Sequence, residues 1–159
     1  MSVLKANRKE SKFEALTFSI ELHNMLIEFM QRDFGIRDMN DYVVARFACR
    51  KNDREAFAKY RFLMGEFKQR IDSHASSLTG NVRAANSIFP TTMAEYEQRR
   101  YYQNSALVDC ERIVKELQRL VEVFKVDINA YRRYIEAIDR EIGLIKKWRQ
   151  KDNKIKAYL

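Results

Sequence analysis

The side chains in this 159-residue sequence with the strongest claim to reactive chemistry are His23, His74, Cys49, Cys110 and Glu95. They do not converge on a familiar arrangement. A di-metal helical bundle needs Glu-x-x-His pairs, and neither histidine has a glutamate three residues before it. A helical ribonuclease of the higher-eukaryote-and-prokaryote nucleotide-binding type carries an arginine, four to six spacer residues and a histidine. Arg70 and His74 stand closer than that. No phosphate-cradling glycine loop, Ser/His/Asp arrangement or zinc-type cysteine spacing occurs. Cys110 falls on an apolar stripe, where a free thiol behaves as a small hydrophobe. Glu95 has the spacing to cap a helix with Thr92 or to pair with Arg99 one turn on. These residues point away from catalysis; neither metal nor cofactor is expected.

Binding chemistry is better represented. Arg99 and Arg100 stand beside Tyr101 and Tyr102, a composition that stacks on bases and grips phosphates. Protein interfaces use the same residues, and spacing alone favours neither. The net charge is +8, and both termini are basic. Lys5, Arg8, Lys9 and Lys12 face only Glu10 in the first stretch. Arg140, Lys146, Lys147, Arg149, Lys151, Lys154 and Lys156 outnumber Glu141 and Asp152 in the last. Arg46, Arg50, Lys51 and Arg54 form a third cluster. Such blocks attract polyanions, and they also keep helical proteins in solution.

Long helices must position these groups. Four glycines and one proline are too few for the turns of a β-rich chain, while 46% apolar and 33% charged residues exclude both disorder and a membrane-spanning chain. Residues 1–10 are expected to be a basic arm, and residues 11–159 a single domain with Ser11 capping the first helix. The first helix uses Leu16, Ile20, Leu22, Met25, Leu26, Phe29 and Met30 and continues to Phe34, with Gly35 as its C-terminal cap. Residues 36–53 hold turn formers and a possible short extra helix around Tyr42–Phe47. Asp53 caps a second helix that runs through Phe57, Tyr60, Met64, Phe67 and Ile71, takes in Gly80 and reaches Ile88, the alternative being a break at Ser73 to Gly80, where small and polar residues gather. Pro90 ends it, because proline lacks an amide hydrogen and clashes with the preceding turn.

The third helix carries the cleanest pattern: Ala106, Cys110, Ile113, Leu117, Leu120 and Phe124 recur at steps of four and three. Asp127 caps a fourth helix with Tyr131, Ile135, Ile138, Ile142, Ile145 and Trp148 on one side. Short connections favour antiparallel neighbours, so the expected fold is all-α, an antiparallel four-helix bundle. Phe18, Phe47, Phe62 and Val108 lie off the main stripes, an apolar surplus that favours contact with further copies or another protein.

Arg83, Ala84, Ala85, Ser87 and Ile88, followed by Met93, Ala94 and Glu95 and then by Ala106, Glu116 and Leu117, form a recognisable series. It resembles the family of four-helix bundles that includes the ribosomal-RNA intervening-sequence protein and the accessory variability determinant of diversity-generating retroelements. Thr92 stands where that family has asparagine, and Tyr96 where it has glycine. The resemblance implies a non-catalytic accessory protein, a ring-forming and typically pentameric homo-oligomer that binds RNA and a reverse transcriptase and supports mutagenic complementary-DNA synthesis. On that expectation Arg83, Arg99, Arg100, Tyr101, Lys146, Lys147, Arg149, Lys151, Lys154 and Lys156 face nucleic acid. The early residues lack the uninterrupted apolar run of a signal peptide, and a cytoplasmic location is expected. No stretch has the length of a membrane helix, so no membrane partner is expected.

Overall fold

An apolar residue at every third or fourth position gives a helix one dry stripe, and here four such stripes close on one another. The computed structural model describes residues 3–36, 50 and 53–159, with the backbone alone for 3–13. Its helices are α1 (Val3–Gln31), α2 (Arg54–Ser87), α3 (Met93–Phe124) and α4 (Arg132–Lys156), and there is no strand among the described residues. α1 packs on α2 and α4, and α3 packs on the same two, so the helices form a ring around one core.

Pairs between neighbours fall in opposite order along the chain. Going up α1, the Ser19 carbonyl meets the Thr79 hydroxyl at 3.5 Å and His23 meets Asp72 at 2.8 Å. On α2 and α3, Arg70 reaches Glu116 at 2.9 Å while Ser77 reaches Asp109 at 2.8 Å. Between α1 and α4, Phe29 stacks on Tyr134 with ring centroids 3.8 Å apart, and Phe18 lies 4.3 Å beneath the Arg140 guanidinium. The start of α1, the end of α2, the start of α3 and the end of α4 therefore share one end of the bundle.

The helix boundaries follow from local chemistry. The Asp53 carboxylate accepts from the Glu55 and Ala56 amides and opens α2. That helix runs unbroken through Gly80, as the stripe requires, and stops at Ser87 before Pro90. Thr92 and Glu95 close a capping box at the start of α3: the Glu95 amide donates to Thr92 Oγ1, and Glu95 Oε2 accepts from the Thr92 amide. The same oxygen accepts from the Thr91 amide and hydroxyl, which holds this exposed carboxyl below its usual pKa. Asp127 accepts from the Asn129 amide and opens a 3-10 turn, Ile128–Tyr131, that leads into α4.

Three expectations change. α1 begins at Val3, so Ser11 is not its cap and the first ten residues are not a separate arm. That stretch contains neither glycine nor proline, and nothing in it stops a helix from continuing backwards. At the other end α1 stops at Gln31. Asp33, Phe34 and Gly35 then take left-handed backbone, with φ of 47°, 55° and 78°. The unfavourable geometry at Phe34 is offset by burial of its ring, edge-on to Phe29 at 5.3 Å, and its carbonyl accepts from the Tyr131 hydroxyl at 3.2 Å. Finally, α4 buries Tyr134, Ile138, Glu141, Ile145, Trp148 and Asp152, while Ile135 and Ile142 are only half-buried. The expected short helix within 36–53 falls, with Phe47 and Cys49, on residues 37–49 and 51–52, outside the described residues.

Candidate nucleic-acid interface

The basic residues of α4 occupy its last three turns. Lys146, Lys147, Lys151, Lys154 and Lys156 are all exposed. Lys147, Lys151 and Lys154 are spaced by four and three residues, so they line up along one side of the helix. Seven residues before Lys147 the same side carries Arg140, which lies 4.0 Å from Glu14 of α1. Beyond that level the bases outnumber the acid: the first turns of α1 contain Lys5, Arg8, Lys9 and Lys12 against Glu10. Two basic blocks at opposite ends of the sequence thus arrive at one end of the fold. Lys154 and Lys156 also complement the negative end of the α4 dipole.

The end of α4 is fixed to α3 by a polar cluster. Arg99 is 1% exposed; its Nη2 donates to Asp152 Oδ1 at 2.9 Å, and its Nε lies in ion-pair contact with Oδ2 at 2.8 Å. Its Nη1 donates to the Ile88 carbonyl at 2.9 Å, and the guanidinium lies 5.0 Å above the Trp148 ring. Gln103 Nε2 donates to Asp152 Oδ2 at 2.7 Å. Burial pulls the Arg99 pKa below its usual value while the Asp152 charge opposes that change. Just outside, Arg100 donates to the Tyr96 hydroxyl, the Arg149 carbonyl and Asn153, and Tyr96 donates to Asn153 at 3.1 Å.

This geometry corrects one of the expected contacts. Arg99 is sealed inside the bundle and spent on Asp152 and Ile88, so it is not a surface ligand for phosphate, and it does not pair with Glu95. Arg100 is half-buried and holds α4 in place. Arg149 is half-buried as well. Arg83 is exposed near the end of α2, at the same end of the bundle as the lysines. Tyr101 is 66% exposed on the outer face of α3, its ring edge-on to Tyr102 at 5.6 Å. The structure therefore gathers Arg83, Tyr101 and the five lysines at one end, with Arg100 and Arg149 partly behind them.

Asp152, Gln103 and Asn153 were not legible as part of this site. A usable signal was nevertheless present. The α3 stripe continues backwards from Ala106 to Gln103, Arg99 and Tyr96 at the same alternating steps, and the α4 stripe continues forwards from Trp148 to Asp152. Position, rather than residue type, marks Arg99 and Asp152 as a buried pair.

The other candidates are engaged elsewhere. Arg70 contacts Glu116 and Glu66, and His23 contacts Asp72. Among the described residues no three His, Cys, Asp or Glu side chains are grouped to hold a metal ion. No helix of the described residues is long and apolar enough to cross a membrane. Compared with protein-family models, with curated proteins and with solved structures, the chain matches none.

Proposed function

We propose that this chain is a non-catalytic accessory protein that binds RNA or its complementary DNA through the cationic end of the bundle and docks a reverse transcriptase. It acts as a subunit of a homo-oligomer. The observation that carries the nucleic-acid part is the meeting, at one end, of the basic start of α1 with the exposed lysines of α4. Neighbouring helices of like charge repel each other, and a bound polyanion relieves that repulsion. The retroelement setting, the polymerase and a ring of subunits rest on the resemblance of the Arg83–Glu95 series.

Replacing Lys146, Lys147, Arg149, Lys151, Lys154 and Lys156 with glutamine tests the binding site. The expected result is a loss of RNA affinity of more than about tenfold at about 0.1 M salt, with helix content retained. Unchanged affinity contradicts the assignment. For the partner, the expected result is that a reverse transcriptase encoded beside this chain is retained by it in a two-component binding assay.

A second reading is favoured by exposed apolar side chains. Phe62 is 71% exposed on α2, and Val108 is exposed on the outer face of α3. On that reading the bundle joins proteins and the charge only serves solubility. Phe62→Ser would then abolish assembly while the glutamine variant left every interaction intact.

A further inference from the structure

Five charged side chains are buried among the described residues: Arg99, Asp109, Glu116, Glu141 and Asp152. Four of them have partners. Arg99 and Asp152 hold each other, Asp109 accepts from Ser77 and Asn81, and Glu116 accepts from Arg70. Glu141 is fully buried, and neither of its carboxyl oxygens has a hydrogen bond. A carboxylate in that position loses its hydration and gains nothing in exchange.

Each helix contributes to the surroundings of this carboxyl. Glu141 sits on the core side of α4, between Ile138 and Ile145. Next to it in sequence, Arg140 turns outward over Phe18 and towards Glu14, and the buried α1 residues at this level are Ala15, Phe18 and Ser19. α3 faces it with Cys110, whose thiol is pushed up by burial first and by the Glu141 charge second. The buried face of α2 carries no charged residue, and it brings Ala75 and Leu78 to the level where Thr79 meets Ser19. The charges acting on Glu141 are Arg140, which favours ionisation, and Glu14, which opposes it. Burial outweighs both and pushes the carboxyl up to about 8.

We propose that Glu141 is a proton-operated latch on the seam between α1 and α4. Protonated, it packs as a neutral group in the apolar core, and the seam is closed. When the helices part, the carboxyl meets water and releases its proton to it. Rising pH therefore favours the parted form. α1 and α4 carry the two basic blocks, so the latch also governs whether those blocks stay together.

The test uses a Cys49→Ser background, in which Cys110 is the remaining thiol. Its rate of modification by an aromatic disulfide reagent is measured from about pH 5 to 9 in that protein and in the same protein with Glu141→Gln. Taking the ratio of the two rates removes the pH dependence that the thiol has in both proteins. The expected ratio rises about tenfold per pH unit up to about pH 8 and then levels off. A ratio that stays flat overturns the latch. Should the glutamine variant not fold, carbon-detected NMR of the unaltered protein decides the matter. A Glu141 carboxyl titrating near 8 supports the proposal, and one titrating with the exposed glutamates overturns it.

Discussion

Arg99 and Asp152, 53 residues apart in sequence, form a two-point ion pair inside the bundle, between the first turns of α3 and the last turns of α4. Removing one partner leaves the other charge buried and uncompensated. Arg99→Ala and Asp152→Ala should each cost about 3–5 kcal/mol, measured by urea unfolding. The pair Arg99→Met with Asp152→Leu should cost much less than the two single changes together, because an apolar pair carries no such penalty. Trp148, the sole tryptophan, lies against Arg99, and its fluorescence should shift in every variant that loosens this end.

Gly80 lies in the interior of α2, exposed, and a Cβ added there would meet nothing within 4 Å. Glycine in a helix interior costs backbone entropy with no packing in return. Gly80→Ala should raise stability by about 0.5–1 kcal/mol in urea unfolding. Gly65, also exposed with open space around it, should behave alike, and the two gains should add.

Glu141 sets the sign of a pH effect. Its folded-state carboxyl is raised to about 8 from the ordinary glutamate value of 4.5, so the unfolded chain ionises first as pH rises. Above about pH 4.5 the unfolded state holds fewer protons than the folded state, and stability falls with pH until about 8. The slope should approach about 1.4 kcal/mol per pH unit in this window, with Glu141→Gln flattening it. Urea midpoints taken across the window would reveal either behaviour.

The apolar pattern predicted the core of α2 and α3, but on α1 Ile20 is exposed and the off-stripe Phe18 is buried, and on α4 Ile135 and Ile142 are only half-buried. The Asp53 cap, the Thr92–Glu95 box and the end of α2 before Pro90 follow from short-range rules that need no tertiary information, whereas the structure decides that α2 runs unbroken past Ser73–Gly80. The polar core was harder to foresee. Arg99, Gln103, Glu141 and Asp152 occupy stripe positions, yet their side chains suggest surface, and only packing against a neighbouring helix reveals which polar residue finds a buried partner. Phe34 shows the other limit. Its left-handed backbone is stabilised by contacts with Phe29 and Tyr131, and the second of these, 97 residues away in sequence, leaves no local trace. The convergence of the basic termini follows from the antiparallel order of four helices, which returns the end of the chain to the end where it starts.

The most direct measurement is the salt dependence of RNA binding. Each phosphate neutralised by a lysine or arginine releases a counterion, so log affinity should fall linearly with log salt, by about 0.7 per phosphate for a single strand. Engagement of four to six of the clustered bases predicts a slope between about −3 and −4. The slope should fall in magnitude when the α4 lysines become glutamine. Affinity that is indifferent to salt, or a slope that survives those replacements, would contradict a cationic end that holds nucleic acid.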